Sequence, residues 1–371
     1  MAEPETTPVR GRSDLEAFVA LPYRLHRGLP GWTPLLRRDV RTVLDPARNP
    51  FFDHAERQLF LARRRGRVVG RVAAIHDRLH NETHADHAGF FGFFETVDDP
   101  DVAGALFDAA AAWLRGRGRE TLRGPLNPSI NDEAGLLVDG FETPSVLMMP
   151  HNPRYYPALV EGAGFRKAKD LLAFQSTGTV LPERLVAATE VVSKRYGVTW
   201  RHIDMKRFPD EVALLQQLFN AGWEGNWGAV PLTDREVEHL AAQLKPLVVP
   251  ELVVFAEHEG RTIGFGAAVP DFNVALRANP SGRLLPGVLK VLWASRHITR
   301  LRVLLLGVRP EWQGRAVDAL LYRRIWEDGY AKGYRWAEAG WILEDNHAMI
   351  NGLVRMGFEA YKTYRVYERP I

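Results

Sequence analysis

The sequence predicts an α/β protein, in the broad sense that includes α+β, built from two diverged copies of one unit. In each half, two apolar segments flank a charged turn, in "RQLFLARRRGRVVGRVAAI" (57–75) and "ELVVFAEHEGRTIGFGAAV" (251–269). Each half continues with a strand-like segment and an alanine- or leucine-rich helix that ends in glycine. Each closes with a Gly-Phe pair and a polar-aromatic segment. This repeated order predicts tandem domains, each a mixed, mostly antiparallel twisted sheet flanked by helices.

The individual elements follow from local signals in the same order. The pairs Arg65-Gly66 and Glu259-Gly260 predict hairpin turns, because glycine adopts the positive φ that tight turns need. Segments 101–118 and 316–333 predict one long helix in each half. Segments 1–50 and 198–227 supply the opening strand and helices of the two halves.

Turn-forming residues cluster in "QSTGTVLPERL" (175–185), which predicts the boundary between the halves. We therefore expect a degenerate domain at 1–178 and a second domain at 179–371. Chance similarity of two unrelated halves remains the alternative.

Composition and charge exclude several classes of protein. The 48 Lys and Arg residues almost balance the 45 Asp and Glu residues and are scattered, which disfavours a nucleic-acid partner. The absence of cysteine excludes disulfides and thiolate metal sites. No segment reaches the about 18 apolar residues of a membrane-spanning helix. We expect a cytoplasmic protein, with any membrane contact peripheral.

The segment "GVRPEWQGRAVDALL" (307–321) predicts a strand end, a tight turn and a helix start. Unpaired amide groups and the positive dipole end at such a helix start bind phosphate, so the backbone of 313–317 is predicted to bind a diphosphate. Ala316 permits a close approach if its φ stays negative. The carboxylate of Asp318 at ~4 Å would cost about 4 kcal/mol at a dielectric of about 20, unless it turns outward or pairs with Arg315. An ordinary turn between strand and helix remains the alternative.

These motifs resemble those of the GNAT superfamily of acyl-CoA-dependent N-acyltransferases. In that family a fourth strand ending in Val-x-Pro leads into an Arg/Gln-Gly-x-Gly-x-Gly/Ala turn. The matching residues are Val308, Pro310, Gln313 and Gly314, whereas Ala316 and Asp318 take the later small-residue positions. The family's asparagine after the fifth strand matches Asn346, followed at the family spacing by Gly357 and Phe358. Leu353 stands where many members carry a tyrosine that protonates the leaving thiolate.

The resemblance covers the second half by motif and the first half by architecture only, because "GFFETVDDPDVAG" keeps no phosphate turn. The whole chain also resembles two-domain GNAT-like bacterial proteins, some of them connected with acylation of long-chain amines in sphingolipid synthesis. The resemblance implies an acetyl-CoA or longer acyl-CoA co-substrate, or an acyl carrier protein thioester, and no metal. It places a carbonyl-polarising amide at Gly307 or Val308. The implied cofactor-binding residues are Leu306, Gly307, Val308, Gln313, Gly314, Arg315, Ala316, Val317 and Asn346.

Candidate catalytic groups lie near the end of the predicted fifth strand and in the last strand. The carboxylates there are Glu338, Glu344 and Asp345. A simple helix cap formed by 344–346 is the alternative. Without a tyrosine at Leu353, solvent, His347 or Tyr364 must protonate the thiolate. The candidate catalytic residues are Glu344, Asp345 and Tyr364.

The insertion at 271–301 indicates a large or apolar substrate. Its middle, "LLPGVLKVLWASRHI" (284–298), predicts an amphipathic helix that lines an apolar channel, contacts a membrane or packs on its own core. Polar residues of the loop 123–141 are interpreted either as facing Glu95 across a domain interface or as forming local turn bonds. The candidate substrate-binding residues are Asp271, Asn273, Trp223, Asn226, Trp227, Glu95 and Asn131.

Four histidines in "IHDRLHNETHADH" (75–87) raise a metal-site hypothesis. Because Asn81 and Thr83 disfavour a regular helix, we expect a polar loop instead.

The sequence therefore predicts an N-acyltransferase that moves an acyl group directly from a thioester to a small-molecule primary amine. The insertion favours a long acyl group and a lipid-like amine, and the partners considered are a membrane surface and an acyl carrier protein. The alternative is a catalytically silent GNAT-fold binding protein.

Overall fold

The computed structural model describes residues 3–178, 180–223 and 225–371, without the side chain of Trp223. These residues form the mixed α/β fold that the sequence predicts. They divide into two compact units. Unit 1 comprises Met1–Leu171, Asn273–Arg296 and Lys362–Ile371, and unit 2 comprises Leu172–Phe272 and His297–Tyr361. The domains predicted at 1–178 and 179–371 refer to the repeat in the sequence and stay a prediction. Each compact unit, by contrast, combines segments that are separate along the chain.

Unit 1 contains a sheet in which four antiparallel strands are followed by a parallel neighbour and then by the C-terminal strand. Its strands are β1 (Glu5–Pro8), β2 (Ala55–Arg64), β3 (Arg67–Asp77), β4 (Ala88–Thr96), β5 (Thr121–Gly124), β6 (Leu126–Asn127), β7 (Glu133–Ala134) and β8 (Leu136–Asp139). Its first helices are α1 (Gly11–Leu25), α2 (Arg37–Leu44), α3 (Arg78–His84), α4 (Pro100–Arg115) and α5 (Tyr156–Gly162). The strand β9 (Arg166–Ser176) begins in unit 1 and ends in unit 2.

Unit 2 repeats the arrangement of four antiparallel strands followed by a parallel neighbour. Its strands are β10 (Thr199–His202), β11 (Val253–His258), β12 (Arg261–Pro270), β13 (Arg300–Val308) and β14 (Trp336–Leu343). Its helices are α6 (Glu183–Tyr196), α7 (Phe208–Trp223), α8 (Asp234–Leu244), α11 (Val317–Ala331) and α12 (His347–Arg355). Two further helices, α9 (Asn273–Leu276) and α10 (Gly287–Ser295), belong to unit 1. The last strand, β15 (Glu359–Pro370), begins in unit 2 and ends in unit 1.

The two units share strand register as well as strand order. Gly70 lies opposite Thr96 in unit 1, and Gly264 lies opposite Val308 in unit 2. Both strand pairs also contain one register shift near their middle. Residue-by-residue comparison of β4 with β13 is therefore justified, and it makes Thr96 the counterpart of Val308.

A long helix covers one face of each sheet. In unit 1, α4 buries Val102, Leu106 and Leu114 completely, and each such side chain contributes about 1.5–3 kcal/mol. A Cβ atom added at Gly89 would lie 2.5 Å from Leu114 Cδ2, so the absence of a side chain there permits this close packing. In unit 2, α11 packs in the same way with its residues at 317, 320, 321 and 325.

The middle of the histidine segment, Arg78–His84, is the helix α3, so the expectation of a polar loop there was wrong. The side chain of Asp77 caps α3 by accepting from His80 N, and Asn81 Nδ2 donates to Asp77 O. Thr83 Oγ1 donates to the Leu79 carbonyl. These local bonds compensate for the low helix propensity of asparagine and threonine. Within the described part of the chain, no three His, Asp or Glu side chains are arranged to hold a metal ion.

The insertion forms the predicted helix, α10, but it packs in unit 1 and not in the second half. Arg37 N donates to Gly282 O at 2.8 Å, and Arg37 Nε donates to Ser281 O at 3.0 Å. Arg277 Nη1 donates to Ser145 O at 3.1 Å. These bonds connect the insertion to residues far away in the sequence, which local patterns do not reveal.

Candidate active site

The strands β13 and β14 diverge beside the predicted cofactor turn. Residues Arg300–Val303 of β13 pair in parallel with residues 336–339 of β14. No later pair joins the two strands in the described residues. Meanwhile β13 stays paired with β12 as far as Val308. The second half of β13 therefore has one edge without a strand partner among the described residues.

The alternation of the β12–β13 ladder decides which amide groups of β13 face that open edge. Arg309 N donates to Ile263 O at 2.8 Å. In an antiparallel ladder, alternate residues direct their N–H groups toward the same partner strand, so Gly307 N also faces β12. The amide groups of Leu306 and Val308 face the opposite side. Of the two predicted carbonyl-polarising amides, the geometry favours Val308.

The turn after β13 leaves the start of α11 without a side-chain cap. Gly314 has a φ of 72°, and Ala316 is the N-cap residue of α11 with a φ of 59°. At this end of the helix, Leu320 N donates to Ala316 O at 3.2 Å. Because alanine has no polar side chain, the amide groups of the first helical turn stay open to a ligand, as helix geometry dictates. The condition set for Ala316, a negative φ, is not met, because its backbone lies in the left-handed region.

The side chain of Asp318 turns outward, which is one of the two predicted alternatives. Its Oδ2 lies 3.9 Å from the point where a Cβ atom on Gly352 of α12 would stand, so the carboxylate is directed toward α12. Arg315 does not pair with it; the guanidinium lies 5.0 Å from the Trp312 ring and 5.5 Å from the Tyr196 ring. A carboxylate directed away from the helix axis opposes phosphate binding less than one aimed at the amides.

In unit 1 the corresponding backbone groups are occupied by side chains. The carboxylate of Asp99 caps α4, accepting from Asp101 N and Val102 N, and forms an ion pair with Arg64. Thr96 N, the counterpart of Val308 N, donates to Tyr156 Oη at 3.0 Å. Unit 1 therefore has no free diphosphate cradle at this helix, in agreement with the missing phosphate turn in its sequence.

The same closure extends to the strand itself. Phe93 has a φ of 50° at the register shift of β4, and its N–H donates to Asn127 Oδ1 at 2.6 Å. A Cβ atom at Gly92 would lie 1.7 Å from Leu126 O, so the chain after β5 approaches β4 closely. In unit 1, the edge of β4 that corresponds to the open edge of β13 is thus covered by the segment that follows β5.

The other predicted cofactor residues lie around the start of α11. Gln313 Nε2 donates to Val308 O at 3.3 Å, and Gln313, Gly314 and Arg315 are exposed. Val317 is buried in the core of unit 2. Asn346 Oδ1 caps α12 by accepting from Met349 N at 3.1 Å, so the cap alternative holds for this residue. Its role toward a cofactor stays a prediction.

The predicted catalytic residues belong to different units. Glu344, half-buried, and Asp345, exposed, follow β14 in unit 2. Tyr364 is completely buried and pairs with Leu137 of β8 in unit 1. Leu353 is buried in the core of unit 2. The catalytic roles of the first three residues stay predictions.

A buried polar cluster lies on β13 and β14. The carboxylate of Glu338 is fully buried, accepts a hydrogen bond from Tyr361 Oη and lies 3.7 Å from Arg302 Nε. Arg302 Nη2 also donates to Gly340 O at 2.9 Å. Neighbouring Asp271 is fully buried too, with its Oδ2 3.8 Å from Arg300 Nε. Buried charges are costly unless they are paired, and these contacts pair the charges in the part of the sheet where β13 and β14 are still neighbours.

The predicted substrate residues are dispersed. Asn226 and Trp227 lie in the turn after α7, and the side chain of Trp223 falls outside the described residues. Asn131 lies in a turn of unit 1, where its N–H donates to Ser129 Oγ at 3.2 Å. Asp271 belongs to unit 2, whereas Asn273 belongs to unit 1. Of the seven, Glu95 and Asn273 line one cavity.

That cavity has a volume of about 120 Å³ and lies within unit 1. Glu95 Oε2 accepts from His26 Nε2 at 2.5 Å and from Tyr156 Oη at 2.7 Å. Its Oε1 lies 3.6 Å from Arg71 Nη2. The polar side chains that line the cavity are Tyr23, Thr33, Arg71, Glu95, Asn127, Glu133, Ser145, His151, Asn152, Tyr156 and Asn273. Sequence reasoning missed His26, Arg71, His151 and Tyr156, which are separated along the chain and carry no local motif.

Burial and pairing shift the titration of this cluster. Burial by itself would raise the pKa of Glu95, but the neighbouring His26 and Arg71 and the hydrogen bonds lower it below its ordinary value. Burial raises the pKa of Tyr156 well above that of a free phenol, and Glu95 raises it further. Burial lowers the pKa of His151 to about 4. Near neutral pH, Glu95 is therefore ionised while Tyr156 and His151 are neutral.

Two curated relatives match almost the whole chain. Protein YghO of Escherichia coli (strain K12) is 39% identical over 369 residues, which are 97% of this chain and 94% of that protein. The bacterial ceramide synthase of Caulobacter vibrioides (strain NA1000 / CB15N) is 40% identical over 382 residues, which are 100% of this chain and 98% of that protein. No protein-family model matches the chain.

Solved structures show the same fold at low sequence identity. A tandem GNAT protein from the clavulanic acid biosynthesis pathway is 14% identical, with a TM-score of 0.58 and coverage of 99% of this chain and 98% of that one. A GCN5-related N-acetyltransferase from Sphaerobacter thermophilus is 12% identical, with a TM-score of 0.54 and coverage of 99% and 95%.

The left-handed backbone at Ala316 makes a stability prediction. We expect Ala316→Gly to stabilise unit 2 by about 1 kcal/mol, because glycine adopts a positive φ without steric cost. Ala319→Gly, in the regular part of α11, should instead destabilise it by about 1 kcal/mol. Denaturant unfolding of the two variants tests this pair. Equal effects of the two substitutions would contradict the assigned backbone conformation.

Proposed function

This chain belongs to the GNAT superfamily of acyltransferases, in one family with protein YghO and the bacterial ceramide synthase, and we propose that it N-acylates a lipid-like primary amine. The acyl donor in this proposal is a thioester of CoA, bound by its diphosphate to the amides at the start of α11. The acyl group passes directly to the amine: the amine nitrogen forms a bond to the carbonyl carbon, and the carbon–sulfur bond breaks.

The observation that supports this donor site is the contrast between the two helix starts. The first turn of α11 begins at an alanine cap and leaves its amides open, whereas Asp99 fills the same place at α4. A diphosphate bound at α4 would have to displace a carboxylate and its ion pair with Arg64. We therefore assign the thioester to unit 2.

The chemistry requires a polarised carbonyl and a proton for the leaving thiolate. In our proposal Val308 N donates to the carbonyl oxygen, from the strand edge that β14 leaves open. The position of Leu353 offers no proton, since its side chain is apolar and buried. In our proposal solvent takes up the proton that the amine nitrogen loses and supplies one to the thiolate, and Glu344 and Asp345 order that solvent.

A lipid-like acceptor is supported by two separate findings. The bacterial ceramide synthase is 40% identical along the whole chain. In addition, the insertion presents exposed apolar side chains on α10 and just before it: Leu285 is 72% exposed, Leu289 69%, Leu292 55% and Trp293 67%. A soluble protein rarely leaves such side chains together on one surface without a purpose.

The same surface supports peripheral membrane contact. No Asp or Glu occurs between Asp271 and Glu311, and the exposed Arg283, Lys290 and Arg296 flank the apolar side chains. Basic and apolar groups on one short helix bind anionic lipid surfaces. In the described part of the chain, every helix is too short or too polar to cross a bilayer. We propose that α10 lies in the interface of an anionic membrane; an acyl carrier protein is the other partner that this charge fits.

A chain-length series tests the proposed reaction. We expect amide formation on a long-chain primary amine to be faster with long-chain acyl-CoA than with acetyl-CoA, measured by mass spectrometry of the product. The same thioesters with a small polar amine serve as the control. Activity confined to acetyl-CoA and small polar amines would contradict the proposal.

Charge changes at the helix start test the donor site. We expect Asp318→Asn to tighten CoA binding about threefold to tenfold and Gln313→Glu to weaken it by a similar factor, through removal or addition of a carboxylate near the diphosphate. Asp210→Asn is the matched control, because Asp210 lies in the first turn of another unit 2 helix, α7. Calorimetric titration at constant ionic strength measures all three variants. Absence of saturable binding in the natural chain would refute the assignment.

Membrane contact is tested by co-sedimentation with vesicles. We expect binding to phosphatidylglycerol vesicles, little binding to phosphatidylcholine, and loss of binding in Leu289→Glu and Leu292→Glu. Val191→Glu is the matched control, since Val191 on α6 is 52% exposed, much like Leu292. If Leu289→Glu binds vesicles as well as the natural chain, α10 is not the contact. Competition by an acyl carrier protein without vesicle binding would favour the other partner.

A further inference from the structure

Two exposed arginines of unit 2 lie against the same aromatic ring beside the start of α11. The guanidinium carbon of Arg195, on α6, is 5.4 Å from the centre of the Tyr196 ring, and that of Arg315 is 5.5 Å from it. In the part of the chain that the structure describes, neither guanidinium forms an ion pair or donates a hydrogen bond to another residue. Two like charges at one ring repel each other, so this place favours an anion that binds both.

An aromatic platform holds the guanidinium of Arg315 in position. This guanidinium lies 5.0 Å from the Trp312 ring, and the rings of Trp312 and Tyr196 meet edge to face at 6.3 Å. Both rings are partly buried against the core of unit 2, and the His258 ring lies 4.7 Å from that of Trp312. Because the core fixes these rings, the cation is oriented before a ligand arrives, which lowers the entropic cost of binding.

The two carboxylates of the turn 309–318 do not neutralise these cations. Glu311 Oε1 lies 3.9 Å from Arg261 Nη2, and Asp318 is directed toward α12. The two arginines therefore form a local excess of positive charge. This excess lies next to the helix start to which the diphosphate of the donor is assigned.

A CoA thioester carries a second anionic group close to its diphosphate. The ribose of its adenosine joins the 5′-diphosphate to a 3′-phosphate monoester through a few bonds. A phosphate monoester carries a charge of about −1.5 to −2 at neutral pH and has three strong acceptor oxygens. The planar guanidinium of arginine matches this geometry, because it donates two parallel N–H bonds to phosphate oxygens.

We propose that Arg195 and Arg315 bind the 3′-phosphate of the CoA donor. The inference rests on the proposed donor site and specifies the thioester. The backbone of Arg315 belongs to the turn assigned to the diphosphate, while its side chain reaches the monoester. An acyl carrier protein presents its thioester on a phosphopantetheine arm without an adenosine 3′-phosphate, so this pair of arginines favours CoA as the donor.

Calorimetric titration with CoA and dephospho-CoA tests the proposal, because the two ligands differ only in the 3′-phosphate. We expect the full chain to bind CoA at least about tenfold more tightly than dephospho-CoA at neutral pH and constant ionic strength. Equal affinity for the two ligands would overturn the assignment, since both carry the diphosphate.

Substitutions assign this preference to the two arginines. Arg195→Gln and Arg315→Gln should each reduce the ratio of the two affinities about threefold or more, and the double variant should remove the preference. Lys194→Gln is the matched control, because it removes the same charge from the same helix, whereas the ammonium of Lys194 pairs with Glu190 at 3.4 Å. An equal fall of the ratio in Lys194→Gln would indicate a general charge effect and contradict the proposal.

Dephospho-CoA also separates this inference from the proposed donor site. If the natural chain binds both ligands equally well, the donor site stands and the arginine site is wrong. If it binds neither, the donor site is wrong and the inference fails with it. Retained binding of dephospho-CoA shows that Arg195→Gln is folded. If that variant does not fold, Arg315→Gln decides, and an unchanged ratio there would refute the arginine site.

An anionic lipid headgroup offers related phosphate chemistry, and vesicles distinguish the two sources. The double variant of Arg195 and Arg315 should bind phosphatidylglycerol vesicles like the natural chain, because the proposed membrane contact is α10 of unit 1. Loss of vesicle binding with an unchanged preference for CoA would assign the two arginines to the lipid and overturn the proposal.

Discussion

The structure depends on which groups accept hydrogen bonds from the backbone amides at two equivalent strand ends, one in each unit. Every buried amide must find an acceptor. In unit 1 these acceptors are side chains of the protein, Tyr156 for Thr96 N and Asp99 for the start of α4. In unit 2 no side chain of the described residues caps the start of α11, and the amide of Val308 faces the edge that β14 leaves open. The two similar units therefore differ in that the strand-end amides of unit 1 are satisfied by its own side chains, whereas those of unit 2 are available to the ligand that we propose.

Although side chains occupy the strand-end amides of unit 1, a buried polar cluster around Glu95 lies beside them. The tyrosine that fills the strand end also donates to Glu95, so the group that closes the strand end also holds this carboxylate in place. Removing a partner from such a buried network leaves an uncompensated charge, which costs more than the bond itself contributes. The closed strand end of unit 1 and the buried carboxylate of Glu95 therefore depend on the same tyrosine, Tyr156.

Local features were predictable from the sequence and distant pairings were not. The hairpin turns at 65–66 and 259–260, the helix after Pro310 and the cap at Asn346 each depend on a few neighbouring residues. The positive φ of Ala316 was missed because alanine does not signal it, and α3 because its cap outweighs propensity. The bond between His26 and Glu95 joins residues 69 positions apart. No periodicity or spacing rule brings such residues together.

The C-terminal segment Lys362–Ile371 belongs to unit 1, where it pairs with β5 and β8. During synthesis on the ribosome, the first 171 residues emerge long before this segment exists. Until residues 362–371 have been synthesised, β5 presents an unpaired edge, the kind of surface that attracts chaperones and mispairs with other nascent chains. The order of synthesis thus makes the earliest part of the polypeptide among the last to reach its mature form.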